Sequence, residues 1–328
     1  MAGLSETDLL PWHSGYWRQL MQRKAADRLP HALLCVGPVG VGKHVFVDRL
    51  VRSLLCWTPA GDGTPCGLCQ GCRLVVAGSH PDYVCIAPED IGKPIKIDQI
   101  RHLCSFLGYT SQFSGYKIAL IRAADRMNLN AANSLLKTLE EPPAASLLIL
   151  VSAQPAKLPA TVRSRCQTLI FRKPDSAQAR AWLAPRIRNM DPVLLLNLSH
   201  GAPLVALAYA EESRLAWRQE LMQSYVDVVT GKLDPVRAAE RWLKGDVAEN
   251  LRWLIDWHRD MVRLKMTMQV SHLLSSDLHE ALWRLVERLS IEDLFLRLDS
   301  AIQLYGLYGT QVNLQLMLET FLGDSISA

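Results

Sequence analysis

Short apolar runs punctuate the first half of this chain: "HALLCVG" at 31–37, "YVCIAP" at 83–88, "KIALIR" at 117–122, "LLILVS" at 147–152 and "QTLIF" at 167–171. Between them lie stretches with helical spacing at 14–29, 43–55, 97–107 and 129–141. Runs this short read as buried strands, and strands alternating with helices predict a mainly parallel sheet covered on both faces. After "FRKPDS" at 171–176 the strand signal stops. Residues 177–210 read as a small helical unit. Beyond 211 apolar residues recur at helical spacing, as in Leu251, Leu254, Ile255, Met261 and Val262, then Leu282, Leu285, Val286 and Leu289. The pattern predicts an α/β body over 1–172, a helical lid over 173–210 and an all-α C-terminal domain over 211–328. No internal repeat or low-complexity segment stands out.

Composition adds limits. The 328 residues are 49% hydrophobic and 21% charged, as in ordinary globular proteins. The longest apolar run, "AASLLILVSA" at 144–153, is too short to cross a bilayer. The start "MAGLSETDLLPW" has neither the basic region nor the apolar core of a signal peptide, so a cytoplasmic location without a membrane partner is expected. A net charge of +4 is too mild to imply nucleic-acid binding by itself.

Eight cysteines in such a chain favour metal binding or burial over disulfides. Cys56, Cys66, Cys69 and Cys72 fall within "CWTPAGDGTPCGLCQGC", where paired CxxC turns present two sulfurs each to one ion and Gly67 and Gly71 permit the tight backbone. Four thiolates with no histidine among them make a closed, structural Zn²⁺ site. A redox CxxC would leave two cysteines unexplained. His80 reads as a packing or capping residue more than as a stray ligand. Cys35, Cys85, Cys104 and Cys166, in or beside apolar runs, read as buried or incidental.

The stretch "GPVGVGKH" at 37–44 follows the first strand and opens the second helix. Gly37, Gly40, Gly42 and Lys43 have the spacing of a phosphate-binding loop, in which backbone N–H groups surround phosphate oxygens and the lysine reaches the terminal ones. His44 stands where a hydroxyl normally ligates magnesium, and magnesium prefers oxygen. Hydrolysis also needs carboxylates after an apolar strand. After "KIALI" come Arg122, Ala123 and Ala124, and the first carboxylate is Asp125. The residues speak against hydrolysis and leave ATP binding open.

Three stretches then converge: "RLPHALLCVGPVGVGK" at 28–43 with the cysteine cluster after its helix, "NAANSLLKTLEEPP" at 130–143, and "LPATVRSRC" at 158–166. Together they resemble the bacterial DNA polymerase III clamp-loader subunits of the AAA+ class, closely to about residue 170 and in outline beyond. The resemblance implies a P-loop-type AAA+ body with the zinc module inserted at about 56–72, a lid, and a C-terminal domain forming the collar of a pentamer. It implies as partners the gamma/tau-type ATPase subunits and the clamp-opening delta subunit, with the sliding clamp and primed DNA reached through the assembly. His44 and "IRAAD" depart from the ATPases and are similar to the loader's stator branch, which shares the fold without hydrolysing ATP. Leu204 stands where the ATPases carry a lid arginine. Ser164-Arg165-Cys166 matches the family's SRC motif, whose arginine reaches a neighbouring subunit's ATP site. The implied role is a non-hydrolysing part of the polymerase holoenzyme that supplies Arg165 in trans. Two alternatives stay open: an ATP-hydrolysing motor subunit of the same loader, and an independent zinc or thiol enzyme.

The helix at 129–141 takes Asn130 as its cap, Leu135, Leu136 and Leu139 as its apolar side and Pro142-Pro143 as its end. Glu140 and Glu141 beside them read as structural or interface residues. Trp242, Trp253, Trp257 and Trp283 read as packing residues, and the ending "QVNLQLMLETFL" fits an oligomerising helix.

Overall fold

A computed structural model describes residues 9–90, 93–113, 115–210, 212–310 and 312–324. It divides into two compact units, Met1–Trp182 with Ala202–Val205, and Leu183–Gly201 with Ala206–Ala328. Residues 1–8 of the N-terminal stretch and Gln311 of the C-terminal ending lie outside the described residues.

The first unit runs α1 (Ser14–Ala25), β1 (Ala32–Val36), α2 (Lys43–Leu55), α3 (Gln70–Val76), β2 (Tyr83–Ile86), α4 (Ile97–Gly108), β3 (Lys117–Ile121), α5 (Leu129–Ser134), α6 (Leu136–Glu140), β4 (Ser146–Ser152), α7 (Ala160–Arg163), β5 (Gln167–Ile170) and α8, whose Ser176–Leu183 span ends at the boundary. All five strands are parallel in the order β2-β3-β4-β1-β5. Side chains alternate between the faces as the pleat requires. On β1, Ala32, Leu34 and Val36 meet α4, α5 and α6 through Ile100, Leu103, Ala131, Leu135 and Leu139. Leu33 and Cys35 point the other way and meet Trp17 of α1 and Phe46, Leu50 and Leu54 of α2. Burial on both faces explains why these strands read as continuous apolar runs.

The details depart from the sequence in four places. α1 stops at Ala25, where Asp27 takes a left-handed backbone. The predicted helix at 129–141 is two segments joined at Leu135. Its cap is Asn128, not Asn130: Asn128 has extended backbone and its side chain accepts the Ala131 N–H at 2.8 Å. Cys85 is exposed, whereas Cys35 is buried and Cys104 and Cys166 are half-buried.

The second unit is helical: α9 (Pro192–Leu198), α10 (Pro203–Tyr209, from Ala206 onward), α11 (Glu212–Val229), α12 (Pro235–Trp242), α13 (Val247–Thr267), α14 (His279–Val286), α15 (Ile291–Leu307) and α16 (Leu314–Asp324). Asp234 caps α12 ahead of Pro235, Asp246 caps α13, and Ser290 with Asp293 forms a capping box on α15. α13 is the central rod, burying Leu251, Trp253, Leu254, Trp257, Met261 and Leu264. Trp242 is buried against Trp257, while Trp283 is only half-buried. Among the described residues no single helix is long and apolar enough to cross a membrane.

His258 on α13 is wholly buried. Its Nδ1 donates to the Leu254 carbonyl at 2.7 Å, which leaves Nε2 to accept from the Tyr225 hydroxyl at 3.1 Å. Burial pushes its pKa down to about 4. The folded protein therefore holds a neutral imidazole that the unfolded chain protonates below about pH 6.5. The associated stability, about 3 kcal/mol, is present above pH 6.5 and lost as pH falls towards 4. Between pH 7 and 4 the urea midpoint of the wild type should fall more steeply than that of His258→Gln, and parallel curves would contradict this assignment.

Candidate functional site

The glycine loop leaves the carboxyl end of β1. Gly42 caps α2 in the left-handed region (φ 93°), and a Cβ there would lie 2.2 Å from Leu10 Cδ1. A Cβ on Gly40 (φ 80°) would lie 2.4 Å from Val205 Cγ2. The loop is packed closely by its own unit. The Trp12 indole N–H donates to the Val41 carbonyl at 2.9 Å, and the Leu204 backbone N–H donates to the Gly40 carbonyl at 3.0 Å. Lys43 is buried, and its ammonium donates to the Gly37 and Pro38 carbonyls at 2.6 and 2.7 Å. Burial lowers its pKa, against the opposing charge of Asp125.

Arg122 follows β3 directly. Its Nη2 meets Asp48 Oδ1 of α2 at 2.6 Å, with each side chain about one-third exposed. Desolvation, then the Arg122 charge, lowers the pKa of His44, although its side chain reaches the surface. The neutral imidazole is thereby favoured beside a guanidinium, a poor setting for a hard dication that seeks anionic oxygen. Asp125 is engaged elsewhere. Its Oδ1 accepts the Ala153 N–H at 3.0 Å and ties the end of β3 to the end of β4.

The cysteine module lies between α2 and β2. Sγ of Cys56 is 3.9 Å from that of Cys69, Cys66 Sγ is 3.9 Å from Cys72 Sγ, and all four sulfurs lie within 4.8 Å of one another. Four bonds of about 2.3 Å directed tetrahedrally to one zinc would separate sulfurs by about 3.8 Å, so the quartet fits such an ion. Backbone N–H groups point at the sulfurs: Cys66 N to Cys56 at 3.3 Å, Cys69 N to Cys66 at 3.3 Å, and Cys72 N to Cys69 at 3.4 Å. Such donors favour thiolates. The Thr58 side chain, with the N–H groups of Cys69 and Leu68, pushes Cys66 down to about 5, while burial raises Cys56 and Cys72. Four protein donors fill a tetrahedral shell and leave no position for a substrate. His80 is not among them. Its Nδ1 accepts the Asp82 N–H at 3.1 Å and its ring packs edge-on to Phe113.

Ser164, Arg165 and Cys166 form the turn between α7 and β5. The Ser164 hydroxyl donates to the Thr161 carbonyl at 3.1 Å, and Cys166 packs against the core beside Val162. These two anchor the turn and leave Arg165 facing solvent. Its Nη1 donates to the Thr161 carbonyl at 3.0 Å, and its Nη2 pairs with Glu140 Oε1 at 2.7 Å. Because the sheet is parallel, Arg165 before β5 and Glu140 before β4 both lie at its amino edge. The glycine loop and Arg122 lie at its carboxyl edge. Sequence reasoning missed both ion pairs, since nothing in a run of residues ties Asp48 to Arg122 or Glu140 to Arg165.

Comparison with known proteins fixes the lineage. A family model described as "DNA polymerase III, delta subunit" matches residues 12–175, and one described as "DNA polymerase III, delta subunit, C terminal" matches residues 212–325. DNA polymerase III subunit delta′ of Pseudomonas aeruginosa is 32% identical over 278 residues, covering 84% of this chain and 84% of that protein. The chain belongs to the delta′ family of DNA polymerase III subunits. Another delta′ relative, from Escherichia coli, is 36% identical over 216 residues, 65% of this chain and 64% of its own. The fold of the delta′ family member described above is similar to that of a Thermotoga maritima protein related to the DNA polymerase III gamma subunit. The two align with a TM-score of 0.50 at 20% identity, covering 94% of this chain and 99% of that one. The architecture is a parallel sheet with helices on both faces and a helical C-terminal region.

The thiolate quartet has a direct test. The purified chain should carry one tightly held metal ion, and Cys69→Ser should lose it. An equal metal content in wild type and variant would remove the quartet as its site.

Proposed function

We propose that this chain is a non-hydrolysing stator of the DNA polymerase III clamp loader and acts in the cytoplasm. In this role it supplies Arg165 to the ATP site of a neighbouring ATPase subunit while the sliding clamp is loaded on primed DNA. The observation that carries the reading is Arg122, a guanidinium paired with Asp48 at the end of β3 where hydrolysis requires metal-binding carboxylates. Lys43, bonded to its own loop, supports a phosphate loop that has become structural. Arg165, exposed on an anchored turn at the opposite edge, supports service to another subunit's site.

An arginine finger acts because a guanidinium delivered to the site stabilises charge developing on the transferred phosphoryl oxygens. The role asks little of the donor beyond a rigid turn and a reachable side chain. The quartet Cys56, Cys66, Cys69 and Cys72 would hold zinc as a structural ion: when bound it cross-links the segment after α2 and supplies no chemistry to ATP. Residues 173–210 would act as the lid and 211–328 as the collar, with gamma/tau-type ATPase subunits and a delta subunit as partners. The family of the chain and the names of its relatives, which include tau subunits, support that setting.

In the reconstituted loader, Arg165→Ala should lower clamp- and DNA-stimulated ATP turnover tenfold or more with assembly intact. At the single site served the loss should be on the order of 10³. The chain alone should show no turnover. An unchanged rate would end the finger reading, and magnesium-dependent turnover by the chain alone would end the stator reading.

A further inference from the structure

We propose that Glu140 is the positioning residue for Arg165, so that the "LEEPP" and "SRC" stretches form one device and not two separate marks of lineage. The proposal rests on the reading of Arg165 as a finger and adds to it the group that aims the side chain.

A free arginine side chain samples many rotamers, and ordering it at the moment of reaction costs rate. Here the ordering is done in advance, from both sides of the guanidinium. Thr161 O accepts from Nη1 at 3.0 Å, and Glu140 Oε1 accepts from Nη2 at 2.7 Å. The first contact is local, to α7 four residues earlier in the chain. The second crosses to a different element, so it fixes the direction in which the side chain leaves the turn.

The anchors of the two partners are shared. Leu139, next to Glu140, and Leu135 are buried in the cluster that also holds Val162 and receives Cys166. The Glu141 N–H closes on the Lys137 carbonyl at 2.9 Å, and Pro142-Pro143 bar a further helical turn. Glu140 is therefore the last helical residue, held on a fixed stub facing Arg165. A carboxylate at a helix C-terminus opposes the helix dipole, so stability alone does not favour it there. Both side chains are well exposed, 37% for Arg165 and 50% for Glu140, and a pair this exposed contributes little to folding. What it does contribute is direction. A carboxylate bound to one terminal nitrogen leaves the remaining guanidinium N–H groups able to donate to an incoming phosphoryl oxygen.

The test is a kinetic cycle in the reconstituted loader with clamp and primed DNA, using Arg165→Ala, Glu140→Ala, Glu140→Gln, the double variant Glu140→Ala/Arg165→Ala, and Glu141→Ala as a neighbouring control. Glu140→Ala should lower kcat about five- to tenfold with KM for ATP unchanged. Glu140→Gln, which keeps an acceptor oxygen on the same stub, should restore at least half of the rate. On the Arg165→Ala background, Glu140→Ala should have no further effect, and Glu141→Ala should stay within about twofold of wild type. Co-elution of all subunits excludes loss of assembly as the cause. A normal or raised kcat in Glu140→Ala, or the same fractional loss with and without Arg165, overturns the positioning role while the finger stands. If Arg165→Ala itself turns over normally, the finger reading falls and the positioning role falls with it.

Discussion

Everything in the first unit depends on a parallel sheet that must be dry on both faces. That demand sets the apolar runs, forces each connection to be a helix laid across a face, and gathers every strand's exit at one edge and every entry at the other. In open α/β sheets the exit edge is where ligands bind. Here that edge has been filled from within. Lys43 bonds its own loop, Arg122 holds Asp48, and Asp125 ties two strand ends together. The entry edge is different. There a short turn and a helix stub present a guanidinium and a carboxylate to solvent.

The two edges share a core but not a chemistry. The residues that close the glycine loop come from Phe171 at the exit of β5, from the Leu10–His13 segment and from Ala202–Val205. The residues that anchor Arg165 come from α6, α7 and the start of β5. Changes at one edge reach the other only through a sheet whose side chains are close-packed and tolerate little adjustment. This arrangement separates the end of β3, where Arg122 pairs with Asp48, from the turn that carries Arg165.

Much of this is legible in the sequence alone. All five strands fall within two residues of the apolar runs, and α2 spans the interval expected for it. The four cysteines that spacing grouped are the four that converge. Less legible was whatever local competition decides. Asn128 and Asn130 both suit a cap, and only the extended backbone at 128 selects the first. Cys85 sits in an apolar run yet is exposed, because it lies on the edge strand β2, where one face is only partly covered. The ion pairs were out of reach altogether, since Asp48–Arg122 spans two strands and Glu140–Arg165 spans one, and nothing in the local pattern specifies the partner.

The cysteine module is sparse in apolar packing: Leu68 is 74% exposed and Val76 63%, and Trp57 is also largely at the surface. Its order rests on the four sulfurs more than on a core of its own. A segment held this way opens as a small cooperative unit, at a free energy below that of the sheet beneath it. With the proposed ion in place, chelation or oxidation would unfasten this corner while the strands stay paired, so amide exchange in the module would track thiol and metal status where the rest of the unit stays silent.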